Sequence, residues 1–273
     1  MFQPRARRSS FQSALSILEL IYHATVRNVR KSHGNAVVGL AMSIMQTVIL
    51  VAVFWLMFSV LGLRGSAIRG DFLLYIMSGI FLFLTHNKAV SAVLGSEGPT
   101  SPMMQHAPMN TTIAIASAAL GCLYIQTLAL FVVLFVYDVA VKQIEILHPI
   151  AAYGMVLLAW FSGCAVGLVL LALKPWLPNV VTIAAQIYTR ANMITSGKMF
   201  VANTMPTYIL AMFDWNPLFH CIDQARGFVF VNYNPHYSSI TYPVVLSLVL
   251  IMIGMMGEFY TRRQASRSWA AGR

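Results

Sequence analysis

Apolar and polar positions alternate along this chain on two scales. Phe11, Leu15, Leu18, Tyr22, Val26 and Val29 recur at steps of three or four, with Gln12, Ser16, Glu19, His23, Arg27 and Arg30 on the opposite face. That spacing predicts an amphipathic helix lying in a membrane interface, its basic end near lipid phosphates; the alternative is a soluble helix packed on a partner subunit. After it come long runs with almost no charge. Residues 36–63 carry none, and the run that begins at Phe72 meets its first charge, Lys88, after sixteen uncharged residues. Further runs cover 110–137, 146–173, 178–198 and 237–257, each long enough for a helix that crosses a hydrocarbon core of about 30 Å. Between the second and third run, Pro99, Pro102 and Pro108 stand with Glu97, Gln105 and His106 in a polar loop.

The stretch 199–231 does not fit that series. As one helix it would reach about 50 Å, too long for one crossing, and two crossings need roughly 40 residues. Asp214, Trp215, Asn216 and Pro217 interrupt it, and Asn216-Pro217 reads as an N-cap with proline at the first helical position. The expectation is a re-entrant hairpin of two half-length segments, 200–213 and 217–231, with a polar turn at the deep end. Such backbone persists at membrane depth only when buried in protein or lining a wet cavity.

Composition agrees with a polytopic all-α membrane protein. The 273 residues are 58% hydrophobic and 10% charged, whereas a soluble domain is nearer about 25% charged. The net charge of +10 would suit nucleic acid, but the basic residues sit at the chain ends and between apolar runs, where anionic lipid headgroups are the ordinary partner. Cys122 and Cys164 lie inside apolar runs and Cys221 in the hairpin, against a disulfide framework. No removable signal peptide is read at the amino end. With both termini inside, twelve of the eighteen Lys and Arg residues fall on the cytoplasmic side and six outside: Arg64, Arg69, Lys142, Arg190, Lys198 and Arg226. The expected layout is a tail and interfacial helix over 1–34, a six-span domain over 35–261 with the outer hairpin before the last span, and a basic cytoplasmic tail over 262–273.

The chemistry-bearing residues point away from catalysis. The eight carboxylates are scattered, the seven histidines share no metal-ligand spacing, and the only Gly-Lys pair, Gly197-Lys198, lacks the rest of a phosphate-binding loop. No catalytic residue, metal site or cofactor is assigned to this chain. Carboxylates are missing from the centres of the spans, which disfavours proton-coupled transport.

An amphipathic helix, six spans, an inner Pro-rich loop and an outer hairpin, with Asn216-Pro217-Leu218-Phe219-His220 running on to Arg226, resemble the type-2 ABC exporter permeases of the capsular-polysaccharide and O-antigen (polysaccharide export) family. Residues 27–39 are similar to that family's Arg-rich approach to the first span. The resemblance implies a permease in the bacterial inner membrane, both termini cytoplasmic, paired with a second copy of itself and with two cytoplasmic ABC ATPase subunits that bind ATP-Mg. It implies export of a lipid-linked glycan, with membrane lipids around it and no nucleic acid. Glu97, Pro102, Gln105 and His106 would belong to a coupling helix in the ATPase cleft; a plain connector is the other reading. Tyr208, Phe213, Trp215, Asn216, Phe219 and Arg226 would line the substrate path, although interfaces gather aromatic residues anyway. Export of another lipid, a drug or haem, or a non-transporting membrane scaffold or enzyme, are the alternatives.

Overall fold

The computed structural model describes residues 10–31, 36–60, 62, 71–96 and 111–271, and no strand occurs among them. Its helices are α1 (Ser10–Lys31), α2 (Ala36–Val60), α3 (Phe72–Leu94), α4 (Thr111–Ala140), α5 (Pro149–Leu173), α6 (Pro178–Thr195), the short α7 (Thr207–Leu210), α8 (Pro217–Val229) and α9 (Thr241–Ala271), with a 3₁₀ turn at Ala202–Thr204. Local chemistry sets the starts. Asp71 caps α3 by accepting the Leu73 amide at 2.9 Å. Prolines open α5, α6 and α8, where their missing N–H costs nothing.

Among the described residues, five helical stretches are long and apolar enough to cross a membrane: Val37–Val60, Phe72–Leu94, Thr111–Ala140, Pro149–Leu173 and Thr241–Gln264. The helix α6, expected as part of a further span over 178–198, is not among them. It has eighteen residues, about 27 Å by helical rise, and Asn179, Gln186, Arg190 and Asn192 dilute its apolar character.

Hydrogen bonds define the two ends of the bundle. At one end Tyr137 donates to the Asp71 carboxylate, and the amides of Leu147 and His148 donate to the carbonyls of Val229 and Phe228, at 3.3 and 2.9 Å. At the other, Lys174 Nζ reaches the Leu94 carbonyl at 3.2 Å, Thr111 donates to Glu258, and Trp176 Nε1 donates to Thr261 Oγ1 at 3.0 Å. The first is called here the hairpin end and the second the tail end. The helix α3 is the central one: 89% of its spanning window is buried, against 17% for α9.

Apolar burial alone does not hold helices together in lipid, so close packing at small residues has to. A Cβ at Gly163 would stand 2.4 Å from the His86 carbonyl oxygen, and one at Gly167 would stand 2.8 Å from that of Val90. The helix α5 therefore lies directly on the backbone of α3. Gly254 and Gly257 of α9 press in the same way on Leu168 and Ala172. The helix α1 runs along α4, with Asn28 Nδ2 donating to Ser117 Oγ at 2.9 Å and Val29 buried against Gly121. Its apolar side chains Leu15, Leu18 and Tyr22 stay exposed.

Two expectations need restating. The first half of the hairpin is not one helix: Pro206 splits 200–213 into the 3₁₀ turn and the four-residue α7. Glu97, Pro102, Gln105 and His106, and the tail 1–9, lie outside the described residues.

Gly163→Ala should lower the thermal midpoint in detergent, at a cost of about 1–3 kcal/mol from overpacking. Gly154, with nothing within 4 Å of its would-be Cβ, should accept alanine without loss. A fluorescence-detected thermal shift that treats the two alike would contradict the α3–α5 contact.

Candidate functional site

A helix that stops inside a bundle leaves carbonyls that need donors. The helix α6 stops at Thr195, and the chain turns at Gly197, whose φ of 72° favours glycine. A Cβ at that position would also meet the Phe219 ring at 2.7 Å. The freed carbonyls go to one side chain of α8. Arg226 Nη1 donates to the carbonyls of Gly197 at 3.0 Å and Phe200 at 2.7 Å, and Nη2 donates to that of Lys198 at 2.7 Å. The guanidinium is fully buried and lies 4.2 Å over the Tyr75 ring. Gly79 of α3 makes room, since a Cβ there would sit 2.9 Å from Lys198 Cβ and 3.1 Å from Arg226 Nη2.

Lys198 points the other way. Its buried Nζ has no hydrogen-bond partner among the described residues and stands 3.3 Å from the Phe83 ring centroid and 5.2 Å from that of Phe54. Two ring faces hold the ammonium through cation–π attraction, which strengthens when the cation is desolvated. Phe83 is the middle residue of α3, so the break lies about halfway between the two ends of the bundle.

A chain of amides ties the deep turn to the helices. Asn216 Oδ1 accepts the Leu218 amide at 3.0 Å and caps α8, while its Nδ2 donates to Asn192 Oδ1 and Thr195 Oγ1, both at 2.8 Å. Asn192 Nδ2 continues to Asn87 Oδ1 of α3 at 3.2 Å. One residue earlier on α3, His86 Nδ1 faces the Ala159 carbonyl and Ser162 Oγ, each at 3.0 Å, and its Nε2 faces the Tyr188 hydroxyl at 2.8 Å. His220 accepts the Ser239 amide on Nδ1 at 3.1 Å, which leaves the proton on Nε2 to be donated to the Asp214 carbonyl at 2.7 Å. Asp223 accepts from Tyr233 and, at 2.6 Å, from Ser238 Oγ. Asp223 and Arg226 are three residues apart on α8, yet no ion pair joins them; each is committed to other groups.

The residues expected to line a path divide sharply. Tyr208 and Trp215 are exposed. Phe213 and Phe219 pack with Ala202 and Leu210 inside the hairpin, and Asn216 and Arg226 are fully buried as its fasteners. Lys198 and Arg226, counted above as outer-side charges, are interior side chains. Asn192, His86, Asn87 and Gly79 were not singled out from the sequence. Polar residues inside otherwise apolar runs were the available signal for the first three.

The fold defines a multi-pass helical membrane protein. Residues 19–230, from α1 to just past α8, match the sequence model of the ABC-2 type transporter family, and the chain belongs to that family. It is the permease subunit of an ABC exporter, a class that pairs with an ATPase partner and dimerises. No curated protein matches the chain.

Asn216→Ala should remove the cap and orphan Asn192 and Thr195, lowering stability by about 1–3 kcal/mol. Trp215→Ala, which truncates an exposed side chain, should cost under about 0.5 kcal/mol. Chemical denaturation of the two variants in detergent measures the difference.

Proposed function

We propose that this permease moves a lipid-linked polysaccharide across the bacterial inner membrane. The helix α6 and the segment that continues it supply a sixth crossing, and 199–231 is a re-entrant hairpin on the outer side. Both termini are cytoplasmic, α1 lies in the inner interface, and the active unit is two copies with two ATPase subunits that carry ATP-Mg. Glu97, Pro102, Gln105 and His106 belong to the segment that receives the ATPase stroke.

The observation that carries the reading is the hairpin. Its break sits beside the midpoint of α3, its turn is fastened at Asn216, and it still presents Tyr208 and Trp215 outward. Ring faces on a rigid support stack on sugars without holding any one of them tightly, as a processive conduit requires. The exposed Leu15, Leu18 and Tyr22 on α1 support the interfacial placement.

Deleting the gene should leave polysaccharide inside the cell and strip it from the surface, as seen by immunogold labelling of both compartments, and the intact gene should restore it. Unchanged surface polymer would move the cargo to another lipid, a drug or haem. In the restored strain, Glu97→Ala with His106→Ala should abolish export while the protein still inserts, and ATPase stimulation by the permease should be lost. Normal export with normal stimulation would remove the coupling role of that segment.

A further inference from the structure

A cavity of about 1080 Å³ opens between α1, α2, α3 and α4, reaching from Phe83 at the middle of α3 to Ser96 at the tail end. Its lining is of two kinds. Toward the bundle middle, Ile49 and Leu50 of α2 form an apolar wall with Phe83 and Leu84 of α3 and Ile125 of α4. Nearer the tail end, Lys88 and Arg27 face the space with Ser43, Ser117, Met42 and Met45 around them, while Gln46 and Gln126 stand closer to the middle. Lys88 Nζ donates to Ser43 Oγ at 2.9 Å, which occupies one of its three protons. No carboxylate lines the cavity among the described residues.

Lys88, half-buried in a largely apolar space with no counter-charge among the described residues, is expensive to keep, and the exposed Arg27 adds a second cation to the lining. An anion bound between them removes that cost. Lys88 lies six residues before Leu94, about 9 Å from the end of α3, which is inner-leaflet depth if the tail end is cytoplasmic. The cavity has the size of a site for a small amphiphile, with charge toward the surface and apolar wall toward the bilayer centre, the polarity of a lipid standing in that leaflet. A guanidinium fork beside an ammonium suits phosphate oxygens.

We propose that this cavity binds one phosphate-headed lipid of the inner leaflet, its phosphate between Lys88 and Arg27 and its chain along Ile49, Leu50 and Phe83. The lipid is either a resident phospholipid or the anchor of the cargo. The site rests on the membrane-permease reading only for its depth, and binding can be read without transport. It is distinct from the hairpin, from which the ring of Phe83 separates it: one face carries the Lys198 ammonium and the ring also lines the cavity.

The test uses the full-length permease in phosphatidylcholine nanodiscs doped with phosphatidic acid, followed by native mass spectrometry of the released protein. The intact protein should retain phosphatidic acid in preference to phosphatidylcholine. Lys88→Gln should weaken that retention by about tenfold or more, the worth of a charge-assisted contact, and Lys88→Arg should restore it. Arg27→Gln, on the exposed face of α1, should also weaken it and carries the test if Lys88→Gln fails to fold. Polyprenyl phosphate and phosphatidic acid then compete, and the stronger competitor identifies the source. Equal retention of phosphatidic acid and phosphatidylcholine by the intact protein, or undiminished retention by a folded variant lacking either cation, overturns the site. Failure of the export experiment with lipid retention intact would sink the polysaccharide reading and leave this one standing.

Discussion

Backbone that leaves a helix inside a buried bundle has no water to turn to, and in this protein one guanidinium answers that constraint. Arg226 takes three carbonyls from the Gly197–Phe200 turn, and nearly everything around the hairpin follows from its being there. Gly79 must lack a side chain for the turn to approach α3. Tyr75 supplies the ring face that takes the place of a counter-ion. The helix α8 must hold its register so that its last turn reaches the break, and the Asn216 cap sets where that helix begins. A lysine at 226 would offer a compact point charge in place of the planar fork that spans three acceptors.

Charge is handled unevenly. Carboxylates are tied to neutral donors: Asp71 to Tyr137, Asp223 to Tyr233 and Ser238, Glu258 to Thr111. Burial first, and then the Asp223 carboxylate it donates to, push the Tyr233 phenol well above its ordinary range. The cations Lys88, Lys198 and Arg226 meet hydroxyl, ring faces and carbonyls in place of acids. Among the described residues these three buried or half-buried cations along α3 thus have no acid as a direct partner.

Much of the fold was legible because hydrocarbon imposes one rule on sequence: long uncharged runs become helices. The helix α1, both ends of α3, the last residue of α5 and the Asn216-Pro217 start of α8 could all be read from periodicity and capping. The hairpin's interior could not. Lys198 and Arg226 look like ordinary loop cations, because no local pattern says that one carries its ammonium on Phe83 and the other caps a turn some thirty residues earlier. Phe213 and Phe219 look like path-lining rings for the same reason. Aromatic character is visible in a sequence, but which face a ring presents depends on partners far along the chain. The division of 200–213 by Pro206 was written in the residues and outweighed by their apolar character.

The glycine contacts of α5 have a mechanical meaning. Gly163 and Gly167 lay α5 directly on the backbone of α3, and Gly254 and Gly257 of α9 close on Leu168 and Ala172 of α5, which leaves little slack between the helices to absorb displacement. The three helices therefore behave as one stiff plate. The helix α6 is joined to that plate chiefly through the hydrogen bonds of Tyr188 and Asn192, contacts that can lengthen or exchange. A push delivered at the tail end would travel through the plate undiminished, and the bending would gather where α6 meets the Gly197 turn, making that junction the hinge of the molecule.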